Sequence, residues 1–380
     1  MPFIHPTPNV QDKLAMLATD AQYDLACACA TSATGHRRRS AEDKWLYPVA
    51  MPGGGRTILF KTLMTNVCSN DCRYCPLRAE RDPPRTTLAP EETALAFVNY
   101  LRAGKAFGVF LSSGVIGTPD NTMDRLTATA ELLRRQHAFR GYIHLKIIPG
   151  ASDAAIEKAV SLASAVSLNI ETAGEQHFSR LSARKNYLAD IIHPLQVISR
   201  LTAPGARYSR VKQTTQFVVG ASDETDREMV HYTGGLYRKL GLDRVYFSAY
   251  QRGLGAPDLP GEHSDASNAD LLMREHRLYQ VDFLLRKYGF SAEEIPFDAR
   301  DRLSLTCDPK EHWARLHPEF FPVDVNRADR QALLRVPGLG LVAAERILTR
   351  RTGRARLRSM TDIGNPAHGL LRKASGYLRF

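Results

Sequence analysis

Six short apolar runs, separated by stretches of helical periodicity, constrain this fold more than any other feature. They cover residues 57–65, 106–114, 141–149, 165–172, 213–220 and 244–250. Each is short, rich in β-branched and aromatic residues, and read as a buried strand. Between them lie helical stretches. Residues 90–103 begin at Pro90 with Glu91 and Glu92 in the first turn, a sound helix start. Further helices are predicted from near Asp120, from Ser152 as a capping residue, and over 187–201 and 224–240. Strands alternating with helices give an α/β architecture: a parallel sheet with right-handed crossovers.

Outside this region the pattern changes. Leu14, Leu17 and Ala21 stand at helical spacing, so residues 1–30 read as a helical extension. Residues 31–56 are turn-rich, with Trp45, Leu46 and Tyr47 expected to anchor a loop and Gly53, Gly54 and Gly55 to form a turn. A long amphipathic helix is predicted over 268–288. The expected organisation is an N-terminal extension and loop (1–56), a core (57–290), a linker rich in Pro, Phe and His (291–322) and an all-α module (323–380).

The chain of 380 residues carries a net charge of +11. Residues 340–380 hold nine Lys or Arg and two acids, a local +7 that is most of the excess. Such confinement favours a polyanion-binding surface, nucleic acid first. No run reaches the roughly 18 apolar residues of a membrane span, and no secretory signal pattern is visible, so a cytoplasmic protein without membrane association is expected.

Cys68, Cys72 and Cys75 follow the first strand of the core, with three and two residues between them. Three thiolates on one short loop suit three corners of an iron–sulfur cubane, leaving one iron open to a reactant. A structural zinc site would want a fourth Cys or His in the loop, and none is there. Cys27, Cys29 and Cys307 are read as buried thiols, not a second cluster. The loop falls at the carboxyl edge of the sheet, where α/β folds place their sites.

This spacing resembles the signature of the radical S-adenosylmethionine (SAM) superfamily, over about residues 57–290. The resemblance implies a partial (β/α)6 barrel, a [4Fe–4S] cluster on the three cysteines, SAM, and an electron donor such as flavodoxin or ferredoxin. It also implies hydrogen abstraction by a 5′-deoxyadenosyl radical, made when the reduced cluster cleaves SAM. Tyr74 stands where the superfamily has an aromatic residue near the adenine. Ser112, Ser113 and Gly114 replace a Gly-Gly-Glu stretch whose backbone contacts the methionine amino group; the change loses a carboxylate. Glu171 stands where a polar group meets the ribose or methionyl part, or else is a strand-end carboxylate paired with Arg184 or Lys185. Arg184 has the fork geometry to face the SAM carboxylate. Ser248 and Tyr250 end the last strand and line the adenine edge or the core; His144 and Lys146 lie on the third.

Near the C-terminus, Asn326 is expected to cap a helix carrying Leu333 and Leu334, Pro337 to stop it, and a second helix to start near Leu341. Between them Gly338, Leu339 and Gly340 form a tight turn whose backbone N–H groups can hold a phosphate. Arg346, Arg350 and Arg351 add counter-charge. The pattern resembles a helix-hairpin-helix motif, which grips DNA backbone in other proteins. The two segments together resemble a family of radical SAM proteins described as DNA modification or repair proteins, which occur beside uracil-DNA-glycosylase-like proteins. The function implied is DNA modification or repair by radical chemistry, with a glycosylase-like protein as a partner. Three alternatives stand beside it: an RNA-modifying radical SAM enzyme, a DNA-binding protein whose cluster is structural or redox-sensing, and a small-molecule radical SAM enzyme.

Overall fold

The computed structural model describes residues 8–21, 44–50, 55–353, 356–365 and 369–380. The chain divides into two compact units, Met1–Glu224 with Leu236–Leu271, and Thr225–Gly235 with Leu272–Phe380. Cys27, Cys29, Gly53 and Gly54 lie outside the described residues. Gly55 takes the left-handed conformation (φ 82°) that a turn there needs. Among the described residues, no helix is long and apolar enough to cross a membrane.

In the first unit, helix α1 (Val10–Asp20) precedes strands β1 (Leu46–Ala50) and β2 (Arg56–Leu63). Then helix and strand alternate: α2 (Pro90–Arg102), β3 (Gly108–Ser112), α3 (Pro119–Glu131), β4 (Tyr142–Lys146), α4 (Asp153–Leu162) and β5 (Ala165–Ser167). They are followed by α5 (Glu175–Phe178), α6 (His193–Thr202), β6 (Lys212–Val219), α7 (Asp226–Leu240), whose residues up to Gly235 count with the second unit, and β7 (Arg244–Ala249). The six expected strands are β2 to β7, all parallel, in the order of the chain. They form the partial barrel expected of the α/β reading.

Local chemistry accounts for the helix starts. The Ser152 hydroxyl accepts from the Ala155 N–H at 3.3 Å. Glu92 reaches back to the Ala89 N–H at 2.7 Å, and Pro90 occupies the first turn of α2. Residues 187–192 form a wide π-helical turn that runs into α6.

One expectation fails here. Leu46 and Tyr47 are not loop anchors but part of β1, which pairs antiparallel with β2 from Leu46↔Phe60 to Ala50↔Arg56. Pro48 sits in this strand because β1 is an edge, where a missing N–H breaks no ladder.

The second unit takes in most of α8 (Asn268–Lys287), then α9 (Pro309–Leu316), β8 (Val323–Asp324), α10 (Arg330–Arg335), α11 (Leu341–Thr352), α12 (Gly369–Ala374) and β9 (Leu378–Arg379). Helix α8 is not simply amphipathic. It buries Arg274, Glu275, Arg277 and Asp282 beside Leu278 and Val281. The charges are matched: Arg274 Nε to Asp226 at 2.5 Å, Arg286 to Asp282, and Arg277 to the carbonyls of Ser304 and Leu305. The stretch expected as a linker holds α9, whose Trp313 stacks on His317 at 4.3 Å and meets Phe290 edge-on at 5.5 Å.

The C-terminal hairpin differs from its expectation in the cap of its first helix. Asp329, not Asn326, caps α10, accepting from the Ala332 N–H at 2.7 Å. The Asn326 amide instead bridges to Leu357, donating to its carbonyl and accepting from its N–H, both at 3.0 Å. In the turn Leu339 faces inward, while Gly338 and Gly340 are half-buried. Gly338 has φ 82°, and a Cβ there would fall on the Leu370 carbonyl oxygen of α12. The Leu339 side chain is buried, its N–H donates to Val336 and its carbonyl accepts from Lys310. The Leu341 N–H is taken by the Tyr288 hydroxyl. Ala344 and Ile347 pack in the hairpin core.

Candidate active site

The cysteine loop leaves the carboxyl end of β2 and is tied down from three distant parts of the first unit. Asp71, between Cys68 and Cys72, accepts from the Ser182 hydroxyl and from the N–H groups of Ala183 (2.8 Å) and Arg184 (3.1 Å). Burial opposes the charge on Asp71, but these donors win and its pKa is lowered. Arg78 donates to the Cys75 carbonyl (3.0 Å) and to those of Leu254 (3.0 Å) and Gly255 (3.2 Å) after β7. Glu262 orders that β7 loop by accepting from the Tyr250 hydroxyl and from the N–H groups of Gly253 and Gly255.

The third tie is Gly114. Its N–H donates to Thr65 at 2.8 Å, and a Cβ on it would fall on the Val67 carbonyl oxygen and lie 3.3 Å from Cys68 Cβ. Glycine is needed because the backbone on which Cys68 rides passes directly over it. Gly114→Ala is therefore expected to displace the loop, costing about 1–3 kcal/mol of stability by overpacking and lowering the iron bound per chain. Urea unfolding and iron analysis check both.

The three cysteines are half-buried. Burial raises the Cys72 thiol and pushes Cys75 up to about 12, and the neighbouring thiolates add to the effect on Cys75. The Asp71 staple brings Lys185 beside them: its ammonium is hydrogen-bonded to Cys72 and close to Glu171 and Cys68. Burial alone would pull this lysine down, but the negative groups raise it instead. The donor set fits a cubane. Among the described residues no three Cys, His, Asp or Glu side chains converge as for one metal ion, whereas a cubane takes one thiolate per iron.

Glu171 is buried past the end of β5 in a left-handed conformation (φ 68°), bridged to Phe217 of β6. A non-glycine residue at such φ is strained, and strain of this kind gathers at functional sites. Its carboxylate accepts from the Tyr74 hydroxyl, whose pKa is raised well above the usual value by burial and then by Glu171. Of the two cations offered by the sequence for Glu171, the structure brings up Lys185. Arg184 turns away and donates to the Ser69 carbonyl. Ser112 lies at the carboxyl end of β3 with its carbonyl accepting from Met64. Tyr250 packs with Leu181, Ala221 and Leu259, and Tyr74 rests against that group. Cys307 belongs to the second unit, beside Asp308 and Glu311.

In the hairpin, an open groove runs along α11, lined by Arg330, Leu341, Val342, Glu345, Arg346, Thr349 and Arg350. Val342 is 73% exposed. The groove gathers Arg346 and Arg350 but not Gly338, Leu339, Gly340 or Arg351. Arg351 donates to the Ala328 carbonyl at 2.5 Å. Arg346 also reaches the Ile363 carbonyl (2.6 Å), and Arg350 lies 3.6 Å from Asp362. Arg330 and Thr349 were not singled out from the sequence, because Arg330 is distant in the chain and joins the groove only when the helices pair.

No curated protein sequence matches the chain. Among solved structures it is similar to HydG, a maturase of the [FeFe]-hydrogenase (15% identity, 59% of this chain and 49% of that chain, TM-score 0.44). It is similar also to methylornithine synthase, PylB (14%, 58% and 63%, TM-score 0.44). A third is HydG from Carboxydothermus hydrogenoformans (15%, 84% and 76%, TM-score 0.46). The chain thus spans about half to two-thirds of the first two. Residues 62–232, which hold the cysteine loop and strands up to β6, match the family model of the radical SAM superfamily. Members of that superfamily use a [4Fe–4S] cluster and SAM.

Proposed function

We propose that this radical SAM enzyme modifies or repairs DNA. The observation that carries the reading is the arginine-lined groove on α11, at the end of the chain that holds most of the charge excess. Arg330, Arg346, Arg350 and the Thr349 hydroxyl offer donors suited to successive phosphates. A groove of this kind holds backbone without reading sequence.

In the first unit, Cys68, Cys72 and Cys75 would hold the cluster. When bound, the cluster and SAM together supply a carbon-centred radical that abstracts hydrogen. The chain's own residues do the rest. Asp71, Arg78 and Gly114 fix the loop, Lys185 offsets thiolate charge, and Tyr74 and Glu171 present a hydrogen-bonded pair at the mouth of the strands. A base or sugar carbon within a duplex would have to be turned out of the stack to react.

The test measures 5′-deoxyadenosine from the reconstituted, reduced enzyme with and without DNA, under anaerobic conditions. Product that rises with DNA supports the reading, and product indifferent to DNA but raised by RNA overturns it. A binding measurement complements this. Arg346→Glu with Arg350→Glu is expected to weaken duplex binding at least about tenfold and to flatten the dependence of log K on log salt by about 2.

A further inference from the structure

Parallel strands under helices are ordinarily apolar on both faces. One face of this sheet is mainly apolar, with Thr62, Gln213 and Thr215 as its polar exceptions. Val109, Leu111, Ile143, Leu145, Val166, Phe217 and Val245 are fully buried. That face turns to the helices, since Gln213 on it donates to the Leu195 carbonyl of α6. The alternate positions are polar: Lys61 on β2, His144 on β4, Ser167 on β5, Thr214 and Gln216 on β6. Register sets them side by side, with Lys61 level with Phe110, Phe110 with His144, Ser167 with Thr214, and Gln216 with Tyr246.

Two features suit this face to a ligand. Thr214 is 7% exposed, and its enclosed hydroxyl has no hydrogen-bond partner. Such a group carries a free-energy cost unless something binds to it. Gln216, two residues along the same strand, is 8% exposed. Beside them the rings are already arranged. His144 lies 4.2 Å from Phe110 and is held by Ser167 at 2.8 Å, and the Lys61 ammonium is 4.8 Å from the Phe110 ring centre.

The chemistry selects the occupant. None of β1 to β7 contains Asp or Glu, and the carboxylate next to them, Glu171, already accepts from the Tyr74 hydroxyl and lies close to the Lys185 ammonium, so a cationic ligand gains little there. Flat rings favour a planar group. A hydroxyl and an amide can read an edge of donors and acceptors, and an ammonium favours carbonyl oxygens. We propose that this face of the sheet is a chamber for one nucleobase, with Thr214 and Gln216 as the residues that read its edge. The inference rests on the DNA reading for the source of the base.

The test uses the reconstituted holoenzyme and fluorescein-labelled pentamers of each of the four deoxynucleotides, with a pentamer of abasic units as reference. At least one base-bearing pentamer is expected to bind about tenfold tighter than the abasic one. Gln216→Leu and Thr214→Val should each bring that ratio towards one while leaving the abasic affinity unchanged. Retained cluster absorbance shows that a variant is folded, and the near-isosteric Thr214→Val stands if Gln216→Leu is not. Equal binding of all five pentamers overturns the chamber, as does a ratio that both folded variants preserve. If the duplex binds through Arg346 and Arg350 yet no base is distinguished, the chamber falls and the DNA reading survives. If free nucleosides bind in a Gln216-dependent way and no oligomer does, the chamber stands and the DNA reading falls.

Discussion

Replacing Cys72 with alanine will abolish both the iron–sulfur chromophore and the cleavage of SAM. A cubane needs one thiolate for each of three irons, and two remaining cysteines leave a second iron open. The nearby carboxylate, Glu171, is engaged by the Tyr74 hydroxyl and the Lys185 ammonium. The group hydrogen-bonded to Cys72 is the Lys185 ammonium, which cannot ligate iron while charged, and the negative groups around it keep it charged. Iron and sulfide per chain, the spectrum of the reduced protein and the yield of 5′-deoxyadenosine measure the loss. Cys307→Ala is the control, expected to keep all three at wild-type levels because Cys307 lies in the other compact unit. An intact cluster in the Cys72 variant would remove the assignment.

The second large effect is on stability, and it lies in the C-terminal unit. Lys310 is 8% exposed, donates to the Leu339 carbonyl in the hairpin turn at 2.5 Å, and sits 4.7 Å from the Tyr288 ring centre. Burial pulls its pKa down from 10.5 to about 7; Asp308 pulls it up and Lys373 down. The unfolded chain therefore holds this proton between pH 7 and about 10.5 while the folded chain has released it. Stability should rise with pH across that window and fall as pH drops towards 7, by a few kcal/mol at most. Lys310→Met removes the charged form. Its unfolding free energy should be higher than wild type near pH 7 and should lack the rise, less about 1 kcal/mol for the lost hydrogen bond. Urea titrations read by Trp313 fluorescence in a Trp45→Phe background measure this, because the chain has two tryptophans. A wild-type stability that is flat from pH 7 to 10 would contradict the assignment.

The sheet was readable because its six parallel strands are short runs bounded by turns and helix starts. The edge strand β1 was not, because Pro48 and the turn-rich flanks hide it, and only pairing with β2 makes it a strand. The cysteine spacing pointed to the cluster from sequence alone. What surrounds the cysteines did not show, because Lys185 reaches Cys72 through a staple on Asp71, more than a hundred residues away in the chain. The hairpin was legible as two helices about a glycine turn. Whether Asn326 or Asp329 capped the first helix was decided by Leu357, a tertiary partner invisible to local rules. Lys61, Thr214 and Gln216 carried a faint signal, polar residues at alternate places in runs expected to be apolar throughout.

The ties on the cysteine loop also fix an order of events during synthesis. Asp71 needs residues 182–184, Arg78 needs the carbonyls of 254 and 255, and those carbonyls need Glu262. A nascent chain that has exposed only its three cysteines has none of these supports. The cradle for iron and sulfide, with all its ties, is therefore complete only after residue 262 has emerged from the ribosome.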